Sequence, residues 1–155
     1  MRVLKRILIS LGGVLLAAVA LFAVLGLSSA HFKSEQEPFV RAFVYDLSKR
    51  WMVSDVYDRL AQPFIEQAAT VQGQQQLQQF KQLGAVKTVR DLKLRNYNAS
   101  PTSGQTGVFS FNGIFENGDA AVDVIINKRD GTVSVLAVHV ASMHLRAWSS
   151  QALSS

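Results

Sequence analysis

The chain has 155 residues, 48% hydrophobic and 17% charged, with a net charge of +5 and no cysteine. That length allows one domain plus a short appendage. The missing cysteine excludes disulfides, thiolate metal sites, a lipoprotein attachment cysteine and cysteine nucleophiles together. The charge sits largely in the appendage: residues 1–30 hold three basic side chains and no acidic one, leaving 13 basic against 11 acidic, or +2, for the rest.

Arg2, Lys5 and Arg6 precede an uncharged run, Ile7 to Leu27, the layout of an export signal. Its 21 residues are also enough for a helix to cross a bilayer. Two readings stay open. In one, the run is an uncleaved anchor, with the N-terminus cytoplasmic by the basic residues before it and the rest in the periplasm of a bacterial inner-membrane protein. In the other, a signal is cleaved after Ala30, at the small residues Ser28 to Ala30, and releases a soluble exported protein. The expected organisation is a signal or anchor over 1–30, a folded domain over 31–142 and a tail over 143–155.

Residues 34–84 read as helical. Phe39, Val40, Phe43, Val44, Leu47 and Trp51 form one stripe at amphipathic-helix spacing, with Pro38 expected at the first helical position and Ser34 or Glu37 as its cap. A new start is expected at Ser54 and another at Pro63. Leu77, Phe80 and Leu83 then form a thin stripe among glutamines, and Gly84 stands at the usual helix stop.

From Lys87 the period changes to two, giving four strand candidates. The first connection is the loop from Asn98 to Gly104; Asn117-Gly118 and Asp130-Gly131 make the others as two-residue hairpin turns. Helices first and an antiparallel meander afterwards predict an α+β fold, with N-terminal helices packed on one face of a curved four-stranded sheet. Taking both turns at face value pairs Phe111 with Val124 and Val122 with His139. One face then collects Phe109, Phe111, Phe115, Val122, Val124, Ile126, Val135, Ala137 and His139, the expected helix-facing core. The other carries Ser110, Asn112 and Asp123 beside an apolar patch of Ile114, Ala121, Ile125, Leu136, Val138 and Val140. A patch of that kind marks an interface, expected through Ile114, Ile125, Leu136 and Val138 with a second copy or another protein. The alternative cover is the tail, through Leu145 and Trp148.

Helices followed by this meander, with Lys128, Asp130, Gly131 and Val135 in the closing hairpin and Phe80, Lys81, Leu83 and Gly84 before the first strand, resemble the nuclear transport factor 2-like superfamily, in particular its small exported bacterial members. Thr132-Val133 departs from that pattern, where an aromatic often stands. The resemblance covers about residues 37–141. It implies a cone with a pocket between helices and sheet, here lined by Phe111, Phe115, Trp51 and His139, and frequent dimers through the outer sheet face. It implies no single function, since members include isomerases, dehydratases, ligand binders and scaffolds.

His139 is the one titratable side chain assigned to the helix-facing side of the sheet. As a general base it would be oriented by Tyr57 or Tyr45, or by Asp46, Asp55 or Asp58. The plainer reading is a hydrogen-bonded histidine at the pocket rim, packed on Phe115. Asp123 falls on the opposite face from His139 and is set aside as a pocket residue. The three histidines lack metal-ligand spacing, the chain has no phosphate-binding glycine loop, and Lys87, Arg90, Lys93 and Arg95 read as the solvated side of a strand rather than a nucleic-acid site. The expectation is a binding or assembly role in the cell envelope without cofactor, membrane-tethered through the N-terminal segment; the alternative is a small isomerase or lyase using His139.

Overall fold

The computed structural model describes residues 27–142. The apolar run up to Gly26 and the tail residues Leu145 and Trp148 lie outside them, as do the anchor and tail-cover expectations; Ser28 to Ala30, the expected cleavage site, are helical. Among the described residues no helix is long and apolar enough to cross a membrane. The chain divides into two compact units, one ending at Gln36 and the other starting at Glu37. In the first, the described residues are helical, with His31 and Glu35 3.9 Å apart one turn along.

Helix α1 covers residues 27–50, so Pro38 is inside a helix rather than at its start. A proline there removes one backbone hydrogen bond without ending the helix. The stripe itself is as expected: Val40, Phe43, Val44 and Leu47 are buried, and Phe39 is half-buried. The helix ends at Trp51, whose φ of 52° is left-handed. For a bulky side chain that conformation costs roughly 1–2 kcal/mol. It is offset by burial of the indole against Phe80 and Phe115, at 5.4 and 6.0 Å between ring centroids, and by the indole N–H donating to the Gly84 carbonyl at 2.9 Å.

Ser54 caps no helix. Two 3-10 turns, Val53–Asp55 and Tyr57–Arg59, fill this stretch, with Asp55 held in a forked ion pair by Arg50. Helix α2, Gln62–Ala69, carries Pro63 in its first turn, as expected. Helix α3, Val71–Lys81, is capped by Thr70, whose hydroxyl accepts from the Gly73 N–H at 3.0 Å. Gly84 follows with φ 76°, a left-handed conformation that favours glycine, and a Cβ there would lie 2.4 Å from the Glu116 carboxylate and displace it.

Four antiparallel strands follow in the order β1-β2-β3-β4: Val86–Ser100, Gly104–Phe115, Gly118–Arg129 and Thr132–Ala141. The α+β reading, with helices on one face of a curved meander, holds. Strand β1 does not alternate simply. Its first buried residues are Val86, Val89 and Leu92, every third position, because the register shifts between Val86 and Thr88 and again between Arg90 and Lys93. Each extra residue re-phases the strand and adds twist, which curves the sheet.

Both edges are partly covered. Along β1, α1 presents Arg41, Tyr45 and Ser48 at one-turn intervals. The Val86 N–H donates to Ser48 Oγ at 3.0 Å, while Tyr45 and Arg41 donate to the carbonyls of Lys87 and Val89 at 3.4 and 3.5 Å. Open strand edges invite pairing with other chains, and these three side chains occupy that stretch. On the far edge, the Ala61 N–H donates to the Val135 carbonyl at 2.9 Å and Leu60 bridges to Val135.

Candidate functional site

The face assignment of β2 and β3 stands, with a shifted turn. Glu116 and Asn117 form the loop, so Phe115 pairs with Gly118 and Phe111 with Val122, not Val124. The shift changes partners by two residues and therefore keeps every side chain on its face. Contacts from the preceding segment fix it: the Glu116 and Asn117 N–H groups donate to the carbonyls of Ala85 and Leu83 at 3.0 Å each. Phe109, Phe111, Phe115, Val122, Val124 and Ile126 are all buried on the helix-facing side.

Strand β4 differs from expectation beyond its middle. The Asp130-Gly131 turn has positive φ at both residues, as a type I′ hairpin requires, and Arg129 pairs with Thr132 and Ile126 with Val135 as predicted. The next pair is Ile125 with Ala137, which leaves Leu136 as the extra residue of a β-bulge. Every later residue changes face. His139 pairs with Asp123, not Val122, and is exposed on the outer surface; Val138 pairs with Val124 and Val140 with Val122, on the helix side. The apparently unbroken apolar run is thus two short alternations in opposite phase, Val133-Ser134-Val135 and Val138-His139-Val140, joined at Leu136.

Three site expectations change with it. His139 is not brought together with Phe111, Phe115 and Trp51, which lie in the packed interior; it borders a small space of about 60 Å³ shared with Phe64, Gln67, Ala68 and Leu77 of the helical hairpin. Val138 leaves the outer interface set, and Leu136 enters it only as a half-buried bulge residue. The general-base partners are also dispersed. The Tyr57 side chain is exposed and, like the His139 imidazole, has no hydrogen-bond partner among the described residues. Tyr45 donates to a strand carbonyl, Asp55 pairs with Arg50, and Asp58 lies 4.0 Å from Arg59. Asp46 accepts hydrogen bonds from Arg59 and Lys49 at 2.8 and 3.0 Å, which hold its carboxyl below the ordinary carboxylate pKa.

The outer face gains a polar row instead. Lys93, Ser110, Asp123 and His139 stand directly opposite one another across all four strands. Ser110 Oγ donates to Asp123 Oδ1 at 2.5 Å. Serine, aspartate and histidine in this order are not a hydrolytic triad, because the carboxylate rather than the imidazole accepts the hydrogen bond of the hydroxyl. Beside the row lie Val108, Ile125 and Ala137 on one side, and Arg90, Asn112, Ala121 and Ala141 on the other. Small side chains there leave an open groove of about 680 Å³, lined by Arg90, Asn112, Ile114, Asp119, Ala121 and Ala141.

Charge on this face divides largely by strand. Arg90 and Lys93 stand on β1, with Asp91 of the bulge between them also lining the groove; Asp119 and Asp123 stand on β3, and the β2 residues between, Val108 to Ile114, carry no charge. Among the described residues Arg90, Lys93 and Asp119 have no ion-pair partner. Alternation marks Ser110, Asn112 and Asp123 as outward-facing in the sequence; His139 could not be placed with them without locating the bulge. Comparison with protein-family models, curated proteins and solved structures finds no match to this chain.

Proposed function

We propose that this protein is a non-catalytic assembly module of the bacterial cell envelope. In this reading the apolar N-terminal segment tethers it to the inner membrane, and the folded domain, of the nuclear transport factor 2-like kind, faces the periplasm and self-associates through its outer sheet face. The observation that carries the binding role is the opposition of Arg90 and Lys93 on β1 to Asp119 and Asp123 on β3, across the uncharged β2. A two-fold axis along β2 lays the Arg90/Lys93 strip of one copy on the Asp119/Asp123 strip of the other, while Val108, Ile114 and Ile125 supply the apolar contact. Each isoleucine contributes roughly 1.5–3 kcal/mol on full burial, before the cost of association, which suits an affinity near micromolar. The isomerase or lyase reading rested on His139 in a pocket with Phe111, Phe115 and Trp51; His139 instead pairs with Asp123 and borders only a space of about 60 Å³ beside the hairpin.

A chain without cysteine makes the test direct. Asn112→Cys, close to the proposed axis, should cross-link to itself in membranes with a short bifunctional reagent, whereas Ser54→Cys should not. Adding Lys93→Asp should lower the cross-linked fraction about tenfold, and adding Asp123→Lys as well should restore it, because complementary charge fixes partner and register. Cross-linking of Asn112→Cys that ignores both charge reversals overturns the proposed pairing. No cross-linking at all overturns self-association through this face.

A further inference from the structure

The hairpin of α2 and α3 packs unlike the rest of the domain. Helix α2 buries no residue, and α3 buries only Gly73. The helices meet closely at that glycine: a Cβ there would sit 2.1 Å from the Gln67 carbonyl oxygen. Away from this contact the hairpin and the segment after Trp51 leave a groove of about 400 Å³, inside the range of roughly 300–1,000 Å³ typical of small-molecule sites. Its wall is continuous helix face. Ile65, Ala68 and Ala69 line it from α2, and Gln74, Leu77, Gln78 and Lys81 from α3, the three- and four-residue steps of neighbours on a helix surface. Trp51, Met52 and Val53 close the other side.

Two features select the ligand. The lining is mainly aliphatic and aromatic, and Met52 is 42% exposed although it faces an apolar space. The one charged lining residue is Lys81, in the last turn of α3, with no carboxylate partner among the described residues and no acidic side chain in the lining. A neutral oil would leave this ammonium unused, and a cationic amphiphile would be repelled by it. We infer that the groove binds a single aliphatic chain with an anionic head, the chain lying along Ile65, Ala68 and Leu77 under the Trp51 ring and the head paired with Lys81. This site is independent of the outer sheet face.

The test uses the full chain in phosphatidylcholine vesicles and two probes with a photoreactive group in the acyl chain: a free alkanoate and a lysophosphatidylglycerol. After illumination, adducts should map by mass spectrometry to peptides covering residues 51–81. Unlabelled dodecanoate should compete, and dodecyltrimethylammonium should compete about tenfold less well, by the loss of one charge-assisted contact. Lys81→Glu should reverse that order of competition while leaving the circular dichroism unchanged, and Ala68→Trp should abolish labelling by filling the groove. Labelling by the alkanoate alone assigns a free acid as ligand; labelling by the lysolipid alone assigns a membrane-derived one. The inference is overturned if neither probe labels residues 51–81, or if anionic and cationic competitors act equally in both the natural chain and Lys81→Glu.

Discussion

The sheet with α1 and the helical hairpin are built from similar apolar residues but packed to different standards. On the sheet side Phe43, Phe109, Val124, Ile126 and Val135 have no accessible surface. In the hairpin, Phe64, Ile65, Leu77 and Phe80 are each only half-buried, and spaces remain on both flanks, one of about 400 Å³ beside Trp51 and one of about 60 Å³ against Ala137, Val138 and His139. The reason is geometric. A strand presents alternate residues to a continuous surface, and α1 offers a wide apolar stripe to match. The hairpin offers two narrow stripes among glutamines, and its helices are pinned together at Gly73, so neither can settle fully onto the domain. Cooperative stability therefore belongs to α1 and the sheet, and adaptability to α2 and α3.

The sharpest way to break that contrast is truncation. Phe109→Ala should destabilise the domain by about 3–5 kcal/mol, by lost transfer energy plus a cavity that its packed neighbours cannot fill. Leu77→Ala should cost less than about 1.5 kcal/mol, because the leucine is already half in solvent. Urea unfolding followed by circular dichroism measures both, and equal losses would refute the division. Next in size is Ser48→Ala, which leaves the buried Val86 N–H without its acceptor and should cost about 1–3 kcal/mol. Ser48→Thr, if accommodated, should recover part of that loss.

Gly73→Ala probes the hairpin alone. Its new Cβ must push α2 and α3 apart, at about 1–3 kcal/mol for overpacking. Hydrogen exchange, expected to be faster in residues 62–81 than in the sheet to begin with, should then accelerate there while β2 and β3 stay protected. Uniform acceleration through the sheet would show that hairpin and sheet unfold as one unit. The smallest expected effect is electrostatic. Asp46 has its pKa lowered in the folded state by Arg59 and then Lys49, so the unfolded chain binds the proton more readily. The stabilisation is present above the ordinary carboxylate pKa and fades as pH falls through the lower folded value. Carbon-detected titration of the Asp46 carboxyl should show a midpoint below the ordinary carboxylate value, and Arg59→Gln should raise it.

Element order, the buried stripe of α1, the Asp130-Gly131 turn and the inward set Phe109, Phe111, Val122, Val124 and Ile126 were determined by sequence alone, because each rests on a short-range period or a turn with special φ. Three placements depended on tertiary structure. Pro38 sits inside α1, since one missing hydrogen bond does not end a helix whose neighbours remain helical. The β2–β3 loop centres on Glu116-Asn117 because the backbone of Leu83 and Ala85 binds those residues. His139 and Val138 exchange faces because β4 bulges at Leu136, next to the point where Leu60 and Ala61 dock on Val135. The stretch Val135-Leu136-Ala137-Val138 is apolar throughout, so any of its residues could be the extra one; alternation fixes faces only within an unbroken ladder, and where a ladder breaks is decided by sheet curvature and by contacts distant in sequence.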